Sequence, residues 1–234
     1  MKKTIFLLVA AWFGFNTMAQ GPGSLNFSTD MNYLQGLVRD AGFYSGLSFS
    51  TNKKVVGTPF LVEDYYTGYI RFFNDTVISK LPLKYNQLYN ELYYQDTKGE
   101  LVLTTSFKEF GINVIAGGNS KSYVFKNGYP AVGAADAKTF YQYLGGQQVE
   151  FLKRNTKELR EAVAMDGSMY YRIIDREELY VYNTAKRQLT QIKKDKESIL
   201  EALPDFKNKI EAVCAERKIK CKNENEITLL FSQL

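Results

Sequence analysis

The stretch TGYIRFFNDTVISKLPLKYNQLYNELYYQDTKGELVLT, from Thr67 to Thr104, decides the fold class. Tyr69, Ile70, Phe72 and Phe73 form an aromatic and β-branched run, Asn74-Asp75 supplies turn chemistry, and Thr76 to Tyr85 is a second such run. Glu91 to Gln95 and Glu100 to Thr104 flank Asp96-Thr97-Lys98-Gly99, whose Asp and Gly suit a four-residue hairpin loop. These residues predict a β-meander, and none of them forms a recognisable reactive group.

The same grammar continues downstream. Phe107 to Ile115 reads as a strand pair broken at Gly111, and Gly117-Gly118-Asn119-Ser120 as a turn. Tyr123 to Phe125 resumes the sheet, and Asn127-Gly128 suits a type I′ turn. Phe140 to Leu144 and Gln147 to Lys153 flank Gly145-Gly146, a hairpin signal. Lys157 to Met165 reads as one or two helical turns, after which Met169 to Ile174, Leu179 to Tyr182 and Gln188 to Ile192 are further strands. Upstream, Pro59 confines any strand within Val55 to Val62 to an edge or to the residues after it.

From Asp195 the apolar period changes from two to about three and a half. Ile199, Leu200, Leu203, Phe206, Ile210, Val213 and Cys214 recur at helical spacing, with Asp195 and Asp205 as caps and Pro204 dividing two helices. Asn223 caps a third, with Glu226 at the capping-box position and Ile227, Leu230, Phe231 and Leu234 on one face. The expected fold class is therefore α+β: an antiparallel β domain over residues 55–192, as sheet, roll or sandwich, then a three-helix appendage over 193–234 that packs on the sheet.

At the start, Lys2 and Lys3 precede an apolar run from Ile5 to Phe15, and Thr17-Met18-Ala19 has small residues where a signal peptidase reads. Residues 1–19 are thus expected to be a signal peptide cleaved before Gln20, which makes the protein periplasmic or secreted. The run is too short for a bilayer span, and no later stretch approaches ~20 apolar residues, so no membrane span is expected. Residues 20–54 read as a lead-in rich in Gly, Pro and Ser at its start, with Asp30 capping a short helix through Met31, Leu34, Leu37 and Val38. Phe43 to Ser50 fits an edge strand or an irregular cover.

Composition removes several function classes. The 234 residues include no His, so Ser-His-Asp and Cys-His catalysis, His-ligated zinc and HExxH hydrolysis are excluded. Phosphate-cradling glycine loops are missing too, and no cofactor is expected. The net charge of +5, two units lower without Lys2 and Lys3, is too small and dispersed to argue for nucleic acid. Ser50-Thr51-Asn52-Lys53 has SxxK spacing without the partner motifs of serine acylases. The densest acidic spots, Glu63-Asp64 and Asp175-Arg176-Glu177-Glu178, lack the alternation of a calcium loop and read as solvated turn charges.

Alternation places Tyr141 with Tyr143, and Tyr180 with Tyr182, on one sheet face, a candidate row for stacking on sugar rings or simply a roof for the core. Cys214 and Cys221 are the only cysteines. On one unbroken helix they would lie ~10 Å apart, beyond the ~7 Å a disulfide bridges, so a bond requires the helix to end between them, and Lys218 to Lys222 is where it can. Otherwise both are buried free thiols.

Gly57-Thr58-Pro59-Phe60-Leu61, Leu81-Pro82-Leu83-Lys84-Tyr85-Asn86 and Phe125-Lys126-Asn127-Gly128-Tyr129-Pro130, followed by the short-helix tail, resemble a group of uncharacterised exported proteins of Bacteroidota. The resemblance implies a compartment and no activity. In that setting Asp75-Thr76-Val77 is similar to the acceptor such bacteria use for O-glycosylation, which would modify Thr76; as a turn leading into a strand it needs no further role. Two functions follow: a non-enzymatic module of the cell envelope or secreted fraction that binds or assembles with another envelope protein, or a protein that binds or cleaves glycans without His.

Overall fold

A computed structural model describes residues 54–96, 99–103 and 107–234. The expected signal peptide, the helix expected after Asp30, Phe43 to Ser50 and the SxxK stretch lie outside the described residues. The strands are β1 (Val55–Val56), β2 (Tyr66–Arg71), β3 (Val77–Asn86), β4 (Glu91–Asp96), β5 (Gly99–Leu103), β6 (Glu109–Ala116), β7 (Asn119–Lys126), β8 (Tyr141–Gly145), β9 (Val149–Val163), β10 (Met169–Asn183) and β11 (Gln188–Ile192). Helices α1 (Lys196–Ala202), α2 (Lys207–Arg217) and α3 (Glu224–Phe231) follow, with a 3₁₀ turn at Pro204–Phe206. The class is α+β.

The strands form one hydrogen-bonded sheet in the order β1-β10-β9-β8-β7-β6-β2-β3-β4-β5, with β11 also on β10. All pairings are antiparallel except β1 with β10, in keeping with hairpin connections. At the β2–β3 turn Asp75 takes φ +66 and Asn74 Oδ1 accepts the Thr76 N–H. At the β6–β7 turn Gly117 and Gly118 take φ +57 and +79, which a side chain would oppose.

Two main cores flank the sheet. On β2 to β7 the apolar residues gather around Phe110, which stacks on Phe125 at 4.8 Å and meets Tyr85 edge-on at 5.0 Å. On β9 to β11, Val149, Phe151, Leu179, Val181 and Ile192 are covered by Ile199, Ile210, Ile227 and Phe231 of the helices. Phe231 stacks on Phe151 at 5.3 Å, and Lys153 Nζ reaches Glu224 at 2.6 Å. The helices thus bury their apolar stripes against the sheet.

Several local expectations are corrected. Residues from Lys157 onward are not helical: β9 runs unbroken to Val163, every residue paired with β10. Opposed charges on facing residues, Lys157 with Asp175 and Arg154 with Glu178, favour the ladder over helix propensity. The two short strands expected between Met169 and Tyr182 are one strand, β10. Gly111 does not break β6, because it leaves room for the Tyr69 ring of the neighbouring strand. Asn127-Gly128 does not close a two-residue hairpin: β7 ends at Lys126, and residues 127–140 cross to β8 with Gly128 N–H bonded to Ala137 O. Asp195 and Asn223 cap α1 and α3, but Asp205 caps nothing and pairs with Lys186 instead.

Candidate binding surfaces

The four tyrosines singled out from alternation do come together. Tyr141 and Tyr143 on β8 and Tyr180 and Tyr182 on β10 share one cluster with Leu152 and Leu189, closed by Tyr129 from the β7–β8 connection. Tyr141 meets Tyr180 at 5.2 Å and Tyr129 at 5.5 Å, while Tyr129 meets Tyr182 at 4.9 Å, all edge-to-face. Tyr141 is 0% and Tyr180 3% exposed, so neither ring offers a face to a sugar. Tyr143 is half-buried, and Lys126 Nζ sits 3.7 Å from its ring centre. Tyr141 and Tyr180 are turned inward, and Tyr143 and Tyr182 are half-buried.

Two polar ends of this cluster, those of Tyr129 and Tyr180, are tied down. Glu150 accepts from Tyr129 Oη at 2.6 Å and Lys126 Nζ at 2.8 Å. Glu178 accepts from Tyr180 Oη and Arg154 Nη1, both at 3.0 Å. Burial pushes the Tyr180 phenol up to about 12 and raises those of Tyr129 and Tyr141, so all three stay protonated at ordinary pH. Tyr129 escaped the sequence reading because its position beside Gly128 and Pro130 signalled only a turn.

The acidic spot at Asp175 to Glu178 lies within β10 rather than in a turn and resolves into ion pairs. Asp175 faces Lys157 at 3.0 Å, and Glu177 faces Lys194 at 2.7 Å and Lys153 at 3.9 Å. Glu63 and Asp64 are exposed in the bend before β2. Among the described residues, no group of His, Cys, Asp or Glu is placed to hold a metal ion. A cavity of about 250 Å³ lies between the β4–β5 hairpin and the β7–β8 connection, with Leu92, Phe107 and Phe140 in its wall. That is smaller than the ~300 to 1,000 Å³ of small-molecule sites. Thr76 is half-buried in the β2–β3 turn, where its carbonyl accepts the Phe72 N–H.

Helix α2 ends between the cysteines, as a disulfide would require: Lys218 takes φ +55, and Ile219 N–H returns to Cys214 O. Cys214 and Cys221 are free, buried thiols. Burial, with Cys214 beside it, pushes the Cys221 thiol up to about 12.

The most exposed apolar surface lies elsewhere. β8 pairs with β9 no further than Lys153, yet β9 and β10 continue together to Val163 and Met169. Among the described residues, β1 lies alongside this two-stranded arm opposite Tyr171 and Arg172, and Gln87 O accepts the Lys157 N–H on its other edge. The turn at its tip is bonded by Ala164 N–H to Ser168 O at 2.8 Å and Ser168 N–H to Asp166 Oδ1 at 2.9 Å. That turn holds Met165 fully in solvent, with Val163 66% and Met169 46% exposed beside it. Sequence reading missed the arm because its residues Lys157 to Ala164 are good helix formers.

The fold and surfaces define an α+β sheet protein with an ordered, apolar-tipped β-arm. Compared with known proteins, no family model, no curated protein and no solved structure matches the chain.

Proposed function

We propose that this chain is an exported, non-enzymatic module of the cell envelope or secreted fraction, acting by binding or assembly with another protein through the β9–β10 arm. The observation that carries this reading is Met165, held fully exposed between exposed Val163 and Met169 by an ordered turn. Apolar surface fixed in water at the end of a rigid element is a cost unless a partner covers it. The inward tyrosines support assembly over glycan stacking. Export rests on Lys2, Lys3, the Ile5 to Phe15 run and Thr17-Met18-Ala19, and mass analysis of envelope protein is expected to find Gln20 first.

The test replaces Met165 and Met169 together by Ser and follows the tagged protein on native gels of envelope extract. Both side chains are exposed, so the melting temperature should hold while the larger species that contains the unmodified protein disappears. An unchanged larger species overturns the reading.

A further inference from the structure

Val56, Val163, Met165 and Met169, all exposed among the described residues, line one open cavity of about 760 Å³ at the end of the arm. The cost of holding that apolar surface in water falls on the chain before any partner arrives.

The backbone shows which segment arrives at this cavity. β1 runs parallel to β10, with Val55 opposite Tyr171 and Val56 opposite Arg172, and Lys54 O accepts the Tyr171 N–H at 2.9 Å. Followed backward from Val55, the chain therefore heads towards Met169 and the tip. Lys54 itself stands in the cavity wall, so the residues before it start from there.

The stretch Phe43-Tyr44-Ser45-Gly46-Leu47-Ser48-Phe49-Ser50 has a composition that suits such a cavity. In an extended chain Phe43, Leu47 and Phe49 share one face. The stretch contains no charged residue, so laying it over the tip desolvates no ion of its own. Ser50 to Lys53 are polar throughout and give room to turn back. At most ~3.6 Å per residue keeps Phe49 within roughly 18 Å of Lys54. The rest of the lead-in fits less well, because the stretch from Asp30 to Ala41 carries Asp30, Arg39 and Asp40, and Gly21 to Ser28 lies further off along the chain.

We propose that Phe43 to Ser50 is the intramolecular occupant of the arm-tip cavity: in the free chain Phe43, Leu47 and Phe49 lie over Val163, Met165 and Met169, and a partner gains the tip only by displacing them. This rests on the reading of the arm as the contact element and adds its regulation. Both apolar surfaces leave the water together. A second copy competes poorly for the cavity, because the short tether at Lys54 holds the segment at an effective concentration on the order of millimolar.

Oxidation of Met165 by dilute hydrogen peroxide, which adds one oxygen to the thioether and is read by mass on the tip peptide, tests the proposal in the chain from Gln20 onward. Met165 should oxidise roughly tenfold or more slowly in the unmodified chain than in Leu47→Ser with Phe49→Ser, since a tip open about one-tenth of the time reacts at about one-tenth of the rate. Leu47→Ile with Phe49→Leu, which stay apolar, should keep the protection and so separate lost contact from lost folding. The serine chain should also enter the larger envelope species in greater proportion. Equal oxidation rates in the unmodified and serine chains overturn the proposal, as does an unchanged or smaller share of the larger species. Protection that grows with protein concentration overturns it too, by naming a second copy as the cover. Failure of the arm reading is a separate result, a larger species indifferent to the Met165 and Met169 substitution.

Discussion

The ring of Tyr69 lies directly over Gly111 of the adjacent strand, so close that a Cβ at position 111 would fall 2.2 Å from Tyr69 Cε1. The phenol then reaches Glu109 at 2.8 Å. An aromatic ring packed on a glycine in this way keeps the strand continuous where the glycine alone would weaken it.

Gly111→Ala should therefore destabilise the sheet by roughly 1 to 3 kcal/mol, since the ring must leave both its seat and Glu109. Urea unfolding checks this. Gly117 is the comparison: a side chain there would meet open space but sit at φ +57, so its replacement strains only a turn.

Tyr141 and Tyr129 should respond oppositely to loss of the hydroxyl. Among the described residues, Tyr141 Oη is buried with no hydrogen-bond partner, so Tyr141→Phe removes an unsatisfied group and should be neutral or stabilising. Tyr129→Phe strips one of two donors from the Glu150 carboxylate and should cost roughly 1 to 3 kcal/mol. Equal effects in thermal unfolding would contradict the cluster as described.

How far the sequence could be read depends on where each signal sits. Turns written by adjacent glycines, as at Gly117-Gly118 and Gly145-Gly146, and caps written by Asp195 and Asn223 are local, and they appear where expected. The arm is not local. Lys157-Glu158-Leu159-Arg160-Glu161-Ala162 favours a helix on its own, and only the facing residues of β10, further down the chain, make it a strand. Gly111 reads as a break for the same reason, because Tyr69, which fills its space, lies on another strand. Alternation grouped the tyrosines correctly but is silent on which face is covered, since the covering residue Tyr129 comes from an irregular connection.

Cys214 and Cys221 should be bonded to each other in protein recovered from an oxidising compartment. The helix ends between them and the two buried thiols are neighbours, so a disulfide oxidant, which takes up the two electrons and two protons, can join them. Closing so short a loop stabilises by roughly 2 to 3 kcal/mol in the chain-entropy account. Alkylation of the unfolded, unreduced protein should give no adducts by mass; two adducts contradict the bond.

The start of α3 should loosen in acid. Glu226 accepts N–H bonds from Lys222 and Lys220 and from the Asn223 amide, and these donors, Lys222 first, hold its carboxyl below the ordinary value of 4.5. A carboxylate depressed in the folded state contributes stability above its unfolded value and loses it as pH falls through the folded one. Amide exchange in the first turn of α3 should therefore speed up, relative to Glu226→Gln, as pH drops from about 4.5. Coincident profiles would contradict the assignment. The readout must be local, because Asp75, Asp136, Glu158 and Asp166 are depressed as well.

The central claim is that the arm, rather than a cleft, is where this protein works, and shortening the arm tests it most directly. Thr156 and Arg176 face each other across the ladder, so joining them through Asn-Gly closes a type I′ hairpin and removes everything beyond. Full-length and shortened chains are tagged, produced in the native envelope and resolved on native gels, with circular dichroism to verify the strand-dominated fold. The account predicts that the full-length protein migrates in a larger assembly and the shortened one as a single chain. A shortened chain that still enters the same assembly would contradict it.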